Sequence, residues 1–405
     1  MILGKDALIF KKWTIGGSVF LYIIFSHSLS SFMPSSINFV YLVSPVLMIV
    51  SMFAAKRLPS FRVVPFFYFF FLYWSVLIVI SIYLTSNYST LLQLSIFLFL
   101  PASLFLIGFK TPSRVLAKVV SFSSIVICSF AIFERMVFFS LLDSNFIRST
   151  SLAFRMQGQG PYDVPLWGRA TGVFGNPNEL GLFCVCAILF MLYCHRDKGL
   201  SITYKFTLCL LVATLLLSAS RGSIASLVSG MLIFVLLNSR LKTSWHFLFL
   251  MPVIFFAMAS IGTSLMDESF IQMLSSRFTS GLYFSQDENF SGRWDVWRIV
   301  LSSGYILFGT VVSPELVFQQ AIDNMFVRLL AQGGMLGLLV TTFLFLNILW
   351  IVLRLKSQQQ KGFAIAFFVA FFLNSMTMLG FQSVVGSTFF WAMFGLVLAD
   401  VKKYK

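Results

Sequence analysis

The chain has 405 residues, of which 58% are hydrophobic and only 11% are charged, and its mean hydropathy is +0.90. A soluble core cannot bury so much apolar surface, so the composition excludes an ordinary soluble protein and indicates a membrane protein. The formal net charge of +15 raises the question of nucleic-acid binding, which only the distribution of the basic residues can answer.

Hydropathy predicts an all-α polytopic membrane protein with about twelve transmembrane helices, each long enough to cross about 30 Å of hydrocarbon. The predicted spans are residues 14–31, 37–54, 64–84, 89–108, 118–142, 178–195, 203–219, 222–238, 245–266, 323–353, 362–380 and 384–400. Residues 143–177 and 267–322 are hydrophilic and too long for tight turns, so we predict two long outer loops there. The chain is therefore divided into an N-terminal transmembrane bundle, residues 1–142, and a second region, residues 143–405, that contains both loops.

The basic residues predict the orientation of the chain in the membrane. If the N-terminus is cytoplasmic, the cytoplasmic connections and chain ends hold 20 of the 29 lysines and arginines but only three of the 14 acids. This asymmetry follows the positive-inside rule and predicts that the N- and C-termini are both cytoplasmic. The net positive charge is thus an orientation signal, and no nucleic-acid partner is predicted.

The basic residues assigned to the outer side or to outer span ends are all arginines: Arg135, Arg148, Arg155, Arg169, Arg221, Arg277, Arg293, Arg298 and Arg328. A guanidinium binds phosphate in a bidentate manner and stays charged when it is partly desolvated. An outer cavity lined by arginine therefore suits a phosphate or pyrophosphate carried on a lipid. Pairing of each arginine with an outer acid stays open as the alternative.

Glu134 and Arg135 are adjacent, and because neighbours on a helix point apart, each is predicted to need another partner.

Four segments occur in a distinctive order along the second region. Residues 168–181 (GRATGVFGNPNELG) lead from the first long loop into a span, and residues 218–222 (SASRG) form a predicted outer turn. Residues 291–309 (SGRWDVWRIVLSSGYILFG) lie in the second long loop, and residues 323–339 (DNMFVRLLAQGGMLGLL) open the next span. In this order and spacing the segments resemble the O-antigen ligase and polymerase family of bacterial polysaccharide assembly.

The resemblance implies a polytopic glycosyltransferase of the bacterial inner membrane that uses glycans on undecaprenyl pyrophosphate at the outer, periplasmic face. It also implies that the arginines of the SRG turn and of the GR pair in the second loop matter for activity, here Arg221 and Arg293. Ligases of the family typically carry a histidine before the asparagine at the start of the span after the long loop. This chain has Asp323 before Asn324 at that point, which favours a polymerase.

Sugar transfer from a lipid pyrophosphate needs positive charge at the leaving phosphate and a base for the incoming hydroxyl. Arg221 and Arg293 are the predicted clamp on the pyrophosphate. Asp323 is the first candidate for the base because it begins a span beside the long loop, although it could equally be the N-cap of that helix. Glu179 is the second candidate, and its alternative role is to interact favourably with the helix dipole.

Six further residues are predicted to bind substrate: Arg169, Asn176, Asn178, Arg298, Asn324 and Arg328. Amides such as those of Asn176 and Asn178 suit sugar hydroxyls, although Asn-Pro-Asn is also common turn chemistry. The segment RWDVWR predicts a short amphipathic helix on the outer interface, on which Trp294 and Trp297 share one face. That face either anchors at headgroup depth or stacks on sugar rings. No metal site and no cofactor are predicted.

The sequence thus predicts a metal-independent glycosyltransferase that polymerises undecaprenyl-pyrophosphate-linked repeat units of O-antigen or capsule. The expected partners are the lipid-linked oligosaccharide, membrane lipids and a chain-length regulator protein. One alternative is an O-antigen ligase, which transfers the finished glycan to lipid A–core. Another is a lipid-linked oligosaccharide flippase or other transporter, which would be expected to have charges deep in several spans and inverted repeats.

Overall fold

The computed structural model describes residues 64–85, 88–138, 169–174, 176–195, 201–238, 288–311, 314–318 and 322–402. Within these ranges the chain is helical and forms no strand. The helices are α1 (Pro65–Thr85), α2 (Tyr88–Lys110), α3 (Ser113–Phe138), α4 (Pro177–Cys194), α5 (Ile202–Leu217), α6 (Arg221–Leu237), α7 (Glu288–Ser302), α8 (Pro314–Phe318), α9 (Met325–Leu353), α10 (Gln358–Ser375) and α11 (Val384–Lys402). Short 3-10 turns at Gly172–Phe174 and Gly380–Gln382 precede α4 and α11.

The predicted all-helical class is confirmed, and nine of the predicted spans correspond to described helices. The predicted spans 14–31, 37–54 and 245–266 lie outside the described residues, so the total of twelve stays a prediction. Most of the first outer loop also lies outside them. The second outer loop contains α7 and α8, so its described part is largely helical.

The boundaries of α10 differ from the predicted span 362–380. The helix starts at Gln358 because Ser357 is its N-cap and accepts a hydrogen bond from the N–H of Gln360. It ends at Ser375, since the following residues turn back toward α11 and Gly380 has a positive φ of 55°. The last five residues assigned to this span therefore belong to a connection, and this connection contributes to the candidate site described below.

One apolar core joins the N-terminal helices to the C-terminal helix. The ring centroid of Phe67 in α1 lies 4.3 Å from that of Phe105 in α2 and 6.0 Å from that of Trp391 in α11. A Cβ added at Gly108 of α2 or at Gly395 of α11 would overlap the backbone of the opposing helix. In lipid the hydrophobic effect does not drive helices together, so they associate through close packing at small residues of this kind. The described N-terminal helices therefore share one core with the C-terminal region.

Many large apolar side chains are exposed on the outside of the described bundle. Leu72 and Val79 of α1 are 61% and 65% exposed, and Leu336 and Leu346 of α9 are 57% and 55% exposed. Four helical segments in the described part are long and apolar enough to cross a membrane, and they are Ser113–Val137, Pro177–Cys194, Met325–Leu353 and Val384–Val401. Pro65–Ser81, Leu98–Lys110, Ile202–Leu217 and Arg221–Leu237 are shorter apolar helices. A surface of this kind suits lipid rather than water.

Contacts between helix ends show which termini lie together. At one end of the bundle, Asn178 at the start of α4 contacts Ser220 just before α6, and Asn324 just before α9 contacts Met376 just after α10. We call this the site end. It corresponds to the outer side in the predicted topology, and the absolute orientation in the membrane stays a prediction.

The opposite end of the bundle is formed by the other termini of the same helices. Tyr193 near the end of α4 donates a hydrogen bond of 2.9 Å to Asp400 near the end of α11. The side chain of Gln358 at the start of α10 donates to the carbonyl of Leu237 at the end of α6, at 3.1 Å. The helices connected in this way run in the alternating directions that the hydropathy pattern predicts.

Helix α9 is broken at Gly334, where φ is 65° and ψ is −169°. This backbone conformation is essentially restricted to glycine. Beyond the break, residues 335–353 span about 28 Å at 1.5 Å per residue, which matches the hydrocarbon thickness. Residues 325–333 form a separate half-helix at the site end.

The polar backbone groups freed by this break are paired with other parts of the chain. The carbonyls of Ala331 and Gln332 accept hydrogen bonds from the N–H groups of Thr310 and Val311, at 2.7 and 3.0 Å. The hydroxyl of Tyr73 donates to the carbonyl of Gly333. Irregular backbone at membrane depth is tolerated only with such replacement partners. The connection between α7 and α8 is therefore docked into the break.

Candidate functional site

The SRG turn lies at the site end between α5 and α6. Ser220 is the N-cap residue of α6, and Arg221 is the first helical residue and is half-buried. The hydroxyl oxygen of Thr377, just after α10, lies 2.7 Å from the position that a Cβ on Gly222 would occupy. A larger residue at position 222 would require the hydroxyl of Thr377 to shift, so glycine here allows the end of α10 to approach the turn. The predicted outer turn at residues 218–222 is confirmed as a turn.

Arg169 fixes the SRG turn to the start of α4. Its Nε donates to the carbonyl of Ser218 at 2.9 Å, and its terminal NH2 donates to Oδ1 of Asn178 at 2.8 Å. Arg169 is buried, being 8% exposed. A guanidinium buried in this way connects two elements of the structure, so Arg169 holds the turn in place.

A second set of hydrogen bonds reaches the turn from inside the bundle. The hydroxyl of Ser220 donates to Oδ1 of Asn178 at 3.2 Å and lies 2.9 Å from the hydroxyl of Ser223. The amide Nδ2 of Asn374 in α10 donates to the hydroxyl of Ser223 at 2.8 Å. Ser220, Ser223 and Asn374 are 3% exposed or less. Buried polar groups linked in this way rigidify a site, since each lost bond would leave a group unsatisfied.

Glu134 holds the segment that leads into α4. One carboxylate oxygen accepts from the N–H groups of Thr171 and Gly172 at 2.9 and 2.8 Å, and the other accepts from the hydroxyl of Thr171 at 2.7 Å. The second oxygen also lies 3.8 Å from the NH2 of Arg135. The prediction that Glu134 needs another partner is confirmed by its bonds to Thr171 and Gly172, whereas the expectation that it points away from Arg135 is wrong, because the long side chain of Arg135 folds back toward it. The buried charge of Glu134 is compensated by these three donors and one cation.

The half-helix of α9 begins with Asn324, which is its N-cap. Oδ1 of Asn324 accepts from the N–H groups of Phe326 and Val327 at 2.9 and 3.1 Å. Its Nδ2 donates to the carbonyl of Met376 at 2.9 Å. Asp323 precedes the cap and is half-buried. The alternative in which Asp323 is itself the N-cap is wrong, because Asn324 already accepts from the N–H groups that an N-cap satisfies.

The connection after α10 brings the SRG turn and the start of α9 together. Met376 contacts Asn324, and the next residue, Thr377, packs against Gly222. Asp323–Asn324 and Arg221–Gly222 therefore flank residues 376–378. In total, the structure brings the predicted residues Arg169, Asn178, Arg221, Asp323 and Asn324 to one end of the bundle. Arg328, also predicted, is half-buried one turn further along the half-helix of α9.

The other predicted residues lie around this group. Asn176 is exposed and is the N-cap of α4, since its side chain accepts from the N–H of Asn178 at 2.9 Å. The turn role considered for Asn176 is thus confirmed. Glu179 is half-buried in the first turn of α4, where an acid interacts favourably with the helix dipole. Both residues belong to the site end.

Helix α7 lies across the half-helix of α9. Val296 and Val300 of α7 pack with Val327 and Ala331 of α9 in a small apolar cluster that is separate from the main core. The backbone of Arg293 is in α7, and its side chain lies outside the described part of the chain.

The predicted amphipathic helix at residues 293–298 is confirmed as part of α7. The rings of Trp294 and Trp297 lie together, with centroids 6.1 Å apart and an interplanar angle of 64°. Trp294 is 53% exposed, and Arg298 is also exposed. An aromatic pair with one exposed and one half-buried ring, beside a cation, is compatible with headgroup anchoring and with sugar stacking.

An apolar groove of about 570 Å³ opens beside the break in α9. Its walls come from α1, from the docked connection and from α9 on either side of Gly334. Phe69, Leu72, Phe308, Leu336 and Phe343 are among the exposed side chains that line it. The described lining contains almost no polar surface, so the groove suits a hydrocarbon chain rather than a sugar.

The described residues offer no obvious metal site. No three histidine, cysteine, aspartate or glutamate side chains among them are placed so that they could hold a metal ion. His195 lies at the opposite end of the bundle, where Nδ1 is 3.1 Å from the carbonyl of Met191 and burial lowers the pKa of the imidazole. His27 and His246 are outside the described residues.

Sequence reasoning missed Glu134, Ser223, Asn374 and Thr377 as parts of this site. Glu134 could have been found from the sequence, because an acid near the end of an apolar span is still expensive to bury and is commonly functional. Asn374 gives a weaker signal of the same kind, as a polar residue near the end of a phenylalanine-rich span. Ser223 and Thr377 resemble the many other small polar residues of the spans, and only the packing of α4, α6 and α10 distinguishes them.

The fold and this polar end define a class: a polytopic helical membrane protein with a buried polar site where several helices begin. Residues 206–342 match the family model described as O-antigen ligase, which confirms the family resemblance seen in the motifs. This segment is therefore similar to the O-antigen ligase family, whose members are glycosyltransferase-like enzymes that act on lipid-linked glycans. The match includes Arg221, Arg293 and Asp323, whereas Arg169 and Asn178 precede it. No curated protein sequence matches the chain.

Proposed function

We propose that this protein is a polymerase that joins undecaprenyl-pyrophosphate-linked repeat units of O-antigen or capsule at the periplasmic face of the bacterial inner membrane. The observation that supports this best is the placement of Arg221–Gly222 and Asp323–Asn324 on either side of residues 376–378. A cation and an acid are thereby held at the same polar end of an otherwise apolar bundle.

The leaving group of this reaction is a lipid pyrophosphate, which needs positive charge. Arg221 begins α6, and two further helices, α4 and α9, also begin at the site end. The positive ends of helix dipoles and a fixed guanidinium stabilise the charge that develops on the phosphate as its bond to the sugar breaks. Arg293 would complete the clamp from α7, which packs on the half-helix of α9.

The attacking group is a sugar hydroxyl of the acceptor repeat unit. Its oxygen forms the new glycosidic bond to the anomeric carbon of the donor, and the bond from that carbon to the phosphate oxygen breaks. Asp323 accepts the hydroxyl proton, and the pyrophosphate leaves on its lipid carrier with the electron pair. No metal ion is required in this scheme, because the arginines and helix ends supply the positive charge.

The apolar groove beside Gly334 supports a lipid-borne substrate. It lies next to the docked connection that follows α7, and it opens on the lipid-facing side of α1 and α9. A polyprenyl chain lying there would have its pyrophosphate near the helix that carries Arg293. Arg298, Arg328 and the exposed Trp294 of α7 would contact the glycan.

A ligase is the second candidate, since the matching family model is described as O-antigen ligase. Asp323 occupies the position at which ligases of this family typically carry histidine, and this favours the polymerase. A flippase is disfavoured, because the described charges of the site lie at helix ends and not in the middle of spans.

One reconstitution separates these candidates. The purified protein is placed in liposomes with undecaprenyl-pyrophosphate-linked repeat units, with or without lipid A–core, and with or without EDTA. A polymerase gives a ladder of longer glycans on the lipid carrier without lipid A–core and in the presence of EDTA. Glycan on lipid A–core would indicate a ligase, and translocation without a new glycosidic bond would indicate a transporter. Loss of the ladder with EDTA would contradict the metal-independent scheme.

A further inference from the structure

The hydrogen bonds around Ser220 link Asn374, Ser223, Ser220 and Asn178 in one series. The single hydroxyl proton of Ser220 is donated to Oδ1 of Asn178. The contact of 2.9 Å between Ser220 and Ser223 must then use the proton of Ser223, and Ser223 in turn accepts from Nδ2 of Asn374. The donors thus point one way, from Asn374 through Ser223 and Ser220 to Asn178.

Arg169 sets the orientation of the Asn178 amide, because a flipped amide would turn its own NH2 group toward the NH2 of Arg169, which can only donate. With Oδ1 on this side, Asn178 accepts from both Arg169 and the hydroxyl of Ser220. The NH2 of Asn178 therefore points away from the network. Asn178 is half-exposed, and the described chain makes no hydrogen bond to this NH2. Ser220, on which Asn178 rests, is the residue directly before Arg221.

We infer that Asn374 is a positioning residue that acts through Ser223 and Ser220 to hold the two N–H donors of Asn178 toward the oxygen acceptors of the substrate. Those acceptors are phosphate or sugar oxygens, because Asn178 stands beside the turn that carries Arg221. The inference rests on the proposed function for the identity of the substrate. The hydrogen bonds from Asn374 to Asn178 and the orientation of the Asn178 amide do not depend on the proposed function. Asn374 also lies outside the segment that matches the family model.

Binding to purified protein tests the inference without turnover. The probes are inorganic pyrophosphate and the free repeat-unit oligosaccharide, each titrated against the unaltered protein and the variants Asn178→Ala, Asn374→Ala and Ser223→Ala. Losing a hydrogen bond to a charged oxygen should weaken pyrophosphate binding about 10- to 100-fold in Asn178→Ala. Asn374→Ala and Ser223→Ala should weaken it about 3- to 10-fold, because Asn178 keeps its bond to Arg169 but loses the support that reaches it through Ser220.

The double variant Asn178→Ala/Asn374→Ala distinguishes positioning from simple packing. If Asn374 acts through Asn178, the double variant binds no more weakly than Asn178→Ala alone. The matched control is Ser226→Ala, because Ser226 is also buried in α6 but its hydroxyl bonds only to the carbonyl of Gly222, at 2.6 Å. This control should bind like the unaltered protein.

Each outcome of these titrations has a definite meaning. Weakening with pyrophosphate assigns Asn178 to the phosphate, and weakening with the oligosaccharide alone assigns it to the sugar; both support the inference. Independent, multiplicative effects of Asn178→Ala and Asn374→Ala would overturn it, as would unchanged binding of both probes in Asn374→Ala. Failure of the proposed function appears separately, as the absence of glycan extension by the unaltered protein in liposomes.

Discussion

Replacing Asp323 by asparagine separates a catalytic base from a structural residue. The substitution keeps the size and the hydrogen-bonding reach of the side chain but removes its ability to accept a proton. The cap of α9 is untouched, since Asn324 supplies both cap bonds and the bond to Met376. We therefore expect the free energy of unfolding to change by less than about 0.5 kcal/mol. Loss of a general base should lower the rate of glycan extension about 10²- to 10⁴-fold, or roughly 3–5 kcal/mol of barrier.

Asn324→Ala is the matched comparison at the adjacent residue. Removing the cap costs about 1 kcal/mol, and leaving the carbonyl of Met376 without its donor costs roughly another 1 kcal/mol. This variant should thus be less stable than Asp323→Asn but should keep more activity. The assay measures extension in liposomes together with thermal aggregation in detergent, at equal protein. If Asp323→Asn retains more than about a third of the rate, Asp323 is not the base, and Glu179 becomes the candidate.

Three other predictions concern the clamp, the orientation and the broken helix. Arg221→Lys and Arg293→Lys should each insert normally yet leave mostly single repeat units on surface polysaccharide gels, because lysine cannot form two parallel bonds to one phosphate; a full-length ladder would show that the charge is structural. Single cysteines are introduced at Gln157, Gln286 or Gln359 in a background without the five native cysteines. Those at 157 and 286 should react with an impermeant thiol reagent on intact cells, whereas the one at 359 should not. Labelling at residue 359 would show that the predicted orientation is wrong. Gly334→Ala should destabilise the protein by about 1–3 kcal/mol in thermal aggregation assays, because alanine does not fit this backbone conformation. The control Gly304→Ala should be neutral, because an added Cβ there meets nothing within 4 Å. Equal stability of the two variants would mean that the break in α9 is not maintained.

The helical class and most described spans could be predicted from the sequence because lipid imposes length and apolarity on each span. The break in α9 could not be predicted from the sequence, since Gly333 and Gly334 also fit ordinary close packing of helices. Nothing in a hydropathy pattern indicates that a connection about 25 residues upstream will dock there. The end of α10 was misplaced for a related reason: residues 376–380 are apolar enough to extend a span, although the chain turns at Ser375.

The candidate site could be predicted in part. Arg221, Asp323 and Asn178 were identified from motifs and charge, and the structure places all three at one end of the bundle. The division of roles between neighbours could not be predicted. Asp323 and Asn324 are both good cap residues, and only the hydrogen bonds show that Asn324 is the cap. Arg169 looks like another phosphate ligand in the sequence, and only its burial and its bonds to Ser218 and Asn178 show that it holds the turn.

The bond between Tyr73 and Gly333 bears on how the protein is made. These residues are 260 positions apart, so α1 enters the membrane long before its partner has been synthesised. Until α9 arrives, the hydroxyl of Tyr73 and the groove side of α1 face lipid or the insertion machinery. The half-helix that carries Arg328 can settle only once α1 and the connection at residues 305–311 are both in place, so we expect the site to form as one of the last steps of biogenesis. A pulse–chase experiment should show that protease sensitivity at residues 303–311 is lost only after α9 has been inserted.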